Sequence, residues 1–543
     1  MSVVVATLAS HAAGVPRVQV NTRVPYASAD WPSWPSLQSV RDIVGTMNGP
    51  REVYPLGGSD KPYDTMAYVE SFKELDGFAV RFNDLNFEQG AFNCTSITQI
   101  FKAWPTTDAA LSTLSASDIS ALTSNESNFV WDGVDYIVGG ACGAGVRLMD
   151  FRLGDTWHVT DALNKGEPVP VDAQGASITF PSSWAFPTNV HTQTGIDLWA
   201  SVAAAVAKHV RSLCDRQELV FDVLTEVYVD SSGKGHFWAY NASVYAQLFG
   251  AAGTAIKAAI GADKVRVAGP NVILANSAND HFFSEFLTAC YQRGYAGCPL
   301  DLVTFHYFST DPTRSTAFAK TANSAVYSQF HGTEFPVPRM AITAFGLHPS
   351  GKYDYYKNVT GAAIVAEHLI ALQGVPIEFA VFYKFDGVNC EDLGYPCLVE
   401  AYTGRLKAAA EPFVLHSRLL AAGSERLAAD LYYCKGGSVL AAAANRSSSS
   451  LAILIAGTNS ATVPPAQLSV QNWKASCGAN QSTLTTTSVS VNGSFGALSE
   501  TTVAGDFTSG VFHVSGDEYT LPIQVDQNTG YFVALLTLKC GGG

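Results

Sequence analysis

Residues 219–226 read Leu219-Val220-Phe221-Asp222-Val223-Leu224-Thr225-Glu226, a largely apolar run that ends on two polar side chains. Short runs of this kind are the mark of parallel strands covered on both faces. The same texture recurs at Phe78-Ala79-Val80-Arg81-Phe82, Leu302-Val303-Thr304-Phe305, Met340-Ala341-Ile342-Thr343 and Phe379-Ala380-Val381-Phe382-Tyr383. Helical patterns lie between the runs. Leu198, Val202, Val206 and Val210 repeat every four residues, and Tyr245, Leu248, Ala252 and Ile256 make a similar stripe. From about residue 50 to 415 strand and helix patterns alternate, which argues for parallel strands joined by crossover helices. The 543 residues suit one large barrel plus a smaller module.

After about residue 420 helical periodicity fades. Ser-, Thr- and Gly-rich turns now separate short strands such as Leu451-Ala452-Ile453-Leu454-Ile455 and Tyr531-Phe532-Val533-Ala534-Leu535-Leu536, which suggests an antiparallel β-sandwich. Arg17-Val18-Gln19-Val20-Asn21 alternates and suits an added strand of that sandwich. The expected fold is therefore α/β: a (β/α)8 TIM barrel over residues 46–415, and a β-sandwich over 416–543 joined by one or more strands from 1–45.

Composition narrows the partners. The chain is 47% hydrophobic and 15% charged, enough apolar material for a large core. Its net charge of −14 repels phosphate and argues against nucleic acid. No apolar stretch is long enough for a membrane span. The ten cysteines show no CxxC pair of metal-binding type, so no zinc site is expected. Cys290/Cys298 and Cys390/Cys397 are close enough in sequence to close short disulfide loops, though connectivity stays open. Glycosylation sequons begin at Asn93, Asn125, Asn241, Asn358, Asn445, Asn480 and Asn492. Cysteines and sequons together point to the eukaryotic secretory pathway. Met1-Ser2-Val3-Val4-Val5 lacks a basic region and a long apolar run, so a signal segment is expected to have been removed.

In a barrel of this kind chemistry gathers where strands end at the C-terminal face. The polar residues there are Arg81, Asn83 and Asp84; Asp150 and Arg152; Thr225 and Glu226; His306 and Tyr307; Lys384 and Asp386. Glu226 is the first candidate, because a carboxyl at such a mouth can serve as a general acid. For His306 the competing reading is a satisfied core histidine, and for Arg81 an ion pair inside the barrel. The run Arg339-Met340-Ala341-Ile342-Thr343 differs, for it delivers only Ala344-Phe345-Gly346.

Gly195 to Ser309 resembles family 39 of the glycoside hydrolases, the β-xylosidase and α-L-iduronidase family of clan A. Val223-Leu224-Thr225-Glu226 stands where the family has Trp-Asn-Glu or a close variant. Lys264-Val265-Arg266-Val267-Ala268-Gly269-Pro270 is similar to its "KVGGP" strand, and Pro299-Leu300-Asp301-Leu302-Val303-Thr304-Phe305-His306-Tyr307 to "PLDFVSxHxY". Upstream, Gly77–Phe82 resembles the strand ending in Arg and a polar residue; downstream, Ala341–Gly346 resembles "ITE(W/F)". The likeness runs over about residues 50–420, and a sandwich after the barrel is typical of the family.

The resemblance implies a retaining glycosidase with Glu226 as acid/base and position 344 as nucleophile, needing no metal or organic cofactor. It also implies sugar contacts from Arg81, Asn83, Thr225, His306, Tyr307, Tyr383 and Asp386, with Trp157 and Trp238 as candidate apolar platforms. Two residues depart from the pattern. Thr225 replaces an asparagine that contacts the sugar, and Ala344 replaces the nucleophilic glutamate. Alanine cannot attack an anomeric carbon, so either a natural glutamate has been replaced or catalysis has been lost naturally. The first account is favoured, since the acid/base glutamate and the polar mouth remain. The function expected is exo-acting hydrolysis of polysaccharide or glycan side chains. The alternatives are a carbohydrate-binding pseudoenzyme and a β-glucuronidase- or heparanase-like hydrolase of clan A.

Overall fold

The computed structural model describes residues 17–25, 39, 41–49, 65–82, 86–87, 92–93, 95–105, 108–154, 192–227, 241–274, 277–311, 313–346, 356–385, 397–400, 403–423, 425–432, 440–447, 449–458, 467–471, 481–492, 495–506, 513–514, 517–518 and 531–540. Eight parallel strands close a barrel: β1 (Val44–Met47), β2 (Ala79–Phe82), β3 (Leu148–Leu153), β4 (Glu218–Val223), β5 (Val265–Ile273), β6 (Leu302–Phe308), β7 (Arg339–Gly346) and β8 (Ala380–Phe382). Each is followed by a helix: α1 (Thr65–Leu75), α2 (Asp132–Gly143), α3 (Gln193–Leu213), α4 (Ala242–Ile260), α5 (Ser277–Gly297), α6 (Thr313–Phe330), α7 (Val359–Leu372) and α8 (Glu411–Ala421). This is the expected (β/α)8 architecture.

Two-residue alternation divides the strand side chains between lumen and helices. Ala79, Leu148, Val220, Leu302, Ala341, Ala344 and Val381 form one buried cluster inside the barrel. Val80, Met149, Phe151, Phe221, Val303 and Phe305 pack outward into a second cluster with Trp199 and Tyr245. The four-residue stripes on α3 and α4 are buried as expected. Trp199 is wholly enclosed, so cutting it back to alanine would cost about 3–5 kcal/mol. Gly45 is required by close approach, since a Cβ there would sit 1.9 Å from the carbonyl oxygen of Ala79.

Among the described residues a separate ten-stranded sheet is antiparallel except where the strand Arg17–Pro25 runs parallel to Gln467–Gln471. Arg17–Pro25 also pairs antiparallel with Glu425–Tyr432. The sheet packs on α7 and α8, with Ala362, Ala366 and Leu415 set against Leu454, Val489 and Val533. Cys290 and Cys298 are disulfide-bonded, as are Cys142 and Cys214, which tie α2 to the end of α3. Cys397 is bonded too, while Cys390 lies outside the described residues. Among the described residues no helix is long and apolar enough to cross a membrane.

Candidate active site

Glu226 stands three residues past the end of β4, at the barrel mouth, with its side chain 20% exposed. Its Oε1 lies 3.4 Å from Nδ1 of His306 on β6. His306 is buried, and its Nε2 has no hydrogen-bond partner among the described residues. Burial pulls the imidazole pKa down; the Glu226 contact opposes that shift and the Arg81 charge adds to it. The neutral ring thus keeps one nitrogen on Glu226 and one uncommitted.

Beneath Glu226 lies a closed circuit of buried polar groups. Arg81 Nε donates to Asp222 Oδ2 at 3.1 Å, and Arg81 Nη2 donates to Thr225 Oγ1 at 3.3 Å. Thr304 Oγ1 donates to the other Asp222 oxygen at 3.4 Å and accepts the backbone N–H of Asn271 at 3.2 Å. Asn271 returns the circuit to β4. Its Nδ2 donates to the Leu224 carbonyl at 3.2 Å, and its own carbonyl accepts the Glu226 N–H at 3.0 Å. Asp150 joins from β3, 3.2 Å from Arg81 Nε. Burial and the Asp222 carboxylate push the Asp150 carboxyl well up, against the opposing pull of Arg81. The direction favours a neutral Asp150. Arg81 is wholly buried among these groups, and its Nη1 has no hydrogen-bond partner among the described residues.

Ala344 is buried in the lumen cluster, and its Cα is the ladder partner of His306. A register shift between Ile342 and Ala344 lets Thr343 turn inward as well, where its hydroxyl bonds Asn271 Oδ1. Glu226 and position 344 therefore approach one mouth from β4 and β7. Tyr383, half-buried and edge-on to Phe308 at 5.7 Å, packs with it against the lumen cluster that holds Ala344.

Tyr307 is different. It packs outward against Phe345 and Phe318, and its hydroxyl bonds Nδ1 of His368 on α7. Consecutive strand residues face opposite ways, so His306 takes the mouth side and Tyr307 the helix side. Asn83, Trp157, Trp238 and Asp386 lie outside the described residues. Asn271, Asp222 and Thr343 escaped the sequence reading. The signal for Asp222 was a carboxylate inside an apolar run, whereas Asn271 depends on cross-strand register.

No family model and no curated protein sequence matches the chain. Solved structures do. A glucosidase from Croceicoccus marinus superposes with a TM-score of 0.59 at 15% identity, covering 97% of this chain and 100% of that one. A monomeric β-xylosidase from Caulobacter crescentus gives 0.58 at 12% identity, covering 97% and 99%. An α-L-arabinofuranosidase from Thermotoga maritima gives 0.55 at 10% identity, covering 96% and 100%. At these identities the likeness is one of fold: the barrel-plus-sheet architecture of these glycoside hydrolases is the architecture of this chain.

Proposed function

We propose that the chain is a retaining glycoside hydrolase of clan A, similar to family 39, with Glu226 as acid/base and position 344 as the nucleophile site, carrying alanine in place of glutamate. One observation carries this reading. Glu226 reaches solvent at the end of β4, while position 344 enters the same mouth from β7 beside His306, without a functional group. Structural neighbours named as a glucosidase, a xylosidase and an arabinofuranosidase support a glycosidic substrate.

A retaining mechanism needs two carboxyls about 5–5.5 Å apart across the bond to be cleaved. With glutamate at 344, that carboxylate would attack the anomeric carbon. Glu226 would protonate the departing oxygen and then take a proton from the water that releases the sugar. His306 would orient Glu226, and its second nitrogen would face sugar or nucleophile. Action on chain ends, as an exo-glycosidase on polysaccharide or glycan side chains, belongs to the same proposal.

We also propose a secreted glycoprotein with glycans at some of its sequons. The Cys142–Cys214 and Cys290–Cys298 disulfides and the exposure of Asn125 and Asn241 support this. Ala344 itself favours a second reading, a sugar-binding protein without catalysis.

The test is hydrolysis of an aryl-glycoside and oligosaccharide panel by this chain and by Ala344→Glu. Loss of a hydrolase nucleophile can cost on the order of 10⁶ in kcat. The glutamate variant is therefore expected to gain several orders of magnitude on one sugar, while the alanine chain stays inert. Sugar binding by the alanine chain with no gain from Ala344→Glu would select the second reading. Turnover by the alanine chain that glutamate does not improve would move the chemistry to another carboxylate.

A further inference from the structure

We infer that Asn271, at the C-terminal end of β5, is the positioning residue that fixes Glu226 relative to position 344. The inference rests on reading those two positions as the catalytic pair. Asn271 touches both strand ends directly. Its amide nitrogen holds the Leu224 carbonyl, its backbone carbonyl holds the Glu226 N–H, and its amide oxygen accepts the Thr343 hydroxyl next to position 344. Its backbone N–H is fixed by Thr304 at 3.2 Å, and the side chain is wholly buried.

The backbone shows why such a clamp is needed. Leu224 and Glu226 have φ values of 64° and 49°, in the left-handed region. That region costs a residue with a Cβ roughly 1–2 kcal/mol, and neither side chain offers local compensation. The two positive angles turn the chain at the tip of β4 and bring the Glu226 carboxylate to His306. Two of the bonds that hold the turn go to Asn271. Asn271 itself has φ 55°, which asparagine tolerates better than most residues. One side chain thus spans a strained loop on one side and the strand of position 344 on the other. Displacement of the loop by about 1 Å is enough to cost 10²-fold in rate.

The test compares Asn271→Gly and Asn271→Ala with Glu226→Gln in the full chain. Glycine keeps the left-handed backbone and its two backbone bonds but removes the side-chain clamp, so it guards against a variant that fails to fold. The first readout is the titration midpoint of His306, followed by NMR with labelled histidine. Among the described residues the charged groups facing His306 are Glu226, Arg81 and Asp222. Of these, Glu226 is the one bonded directly to Asn271 and also favours the protonated ring, so its retreat lowers the midpoint. Both Asn271 variants are expected to show at least half of the downward shift that Glu226→Gln produces.

The second readout is kinetic, in the Ala344→Glu background. Asn271→Gly is expected to lower kcat about 100-fold with KM little changed. An unshifted His306 midpoint in the folded glycine variant overturns the inference, and so does an undiminished kcat. If Ala344→Glu hydrolyses nothing, the functional reading fails, while the His306 midpoint still decides whether Asn271 holds Glu226.

Discussion

His306 and Tyr307 are consecutive on β6, and both are buried, yet they belong to regions built on opposite terms. On the mouth side, His306 spends one nitrogen on Glu226 and leaves Nε2 without a partner among the described residues. Behind the strand, Tyr307 bonds His368 Nδ1, and His368 Nε2 donates to the Ser309 carbonyl at 2.9 Å. Both ring nitrogens of His368 and the Tyr307 hydroxyl are thus paired. Nε2 of His306 is not, although an unpaired buried polar atom costs about 1–3 kcal/mol. Such a cost is tolerated where a ligand completes the bonding. At this pair of neighbours polar satisfaction, more than burial, separates the residue at the mouth from the one behind the strand.

The comparison can be broken most decisively at Glu226. In the Ala344→Glu background, Glu226→Gln is expected to lower kcat by about 10²–10⁴-fold, the usual worth of general acid–base catalysis. The loss should shrink for aryl glycosides whose leaving group needs no proton. A uniform small loss across leaving groups would remove Glu226 from the acid role.

The rear cluster should instead answer to pH through stability. Burial raises Glu367 to about 7, with Asp311 adding to the shift, and burial lowers His368 to about 4. The signs are opposite. The folded chain favours protonated Glu367, so that contribution is present below the carboxyl's ordinary value of 4.5 and is lost as pH rises through 7. It also favours neutral His368, so that contribution is present above 6.5 and is lost as pH falls towards 4. Glu367→Gln removes only the first. Between pH 4.5 and 7 the variant is expected to gain stability on its parent by up to about 3 kcal/mol. Parallel denaturation midpoints across that range would refute the assignment.

A smaller effect sharpens the same contrast. Tyr307→Phe leaves His368 Nδ1 unpaired and is expected to cost about 1–3 kcal/mol by chemical denaturation. In the Ala344→Glu background its kcat/KM should stay within a few-fold of that parent. His306→Ala should do the reverse, losing turnover with little loss of stability. A stable Tyr307→Phe protein that no longer turns over sugar would place Tyr307 in the site after all.

The barrel was legible because its strands are covered on both faces and so read as apolar runs. The sheet was legible from its turns. Glu226 and His306 were legible as polar residues ending such runs. Alternation could also have separated His306 from Tyr307, for only one of two neighbours on a strand reaches the lumen. Asn271 was hidden for a physical reason. Its importance comes from a left-handed backbone and bonds to two other strands and to the turn after β4, none of which leaves a local pattern. Thr343 was hidden by the register shift that turns two consecutive residues of β7 inward.

The central claim, that Glu226 and position 344 form a retaining pair, is tested most directly by stereochemistry. Proton NMR of the Ala344→Glu variant acting on its best aryl glycoside would record the anomeric configuration of the sugar first released. Retention is the expected result. Release of the inverted anomer would contradict the account, because it would mean that water, and not a side chain at 344, attacks the anomeric carbon.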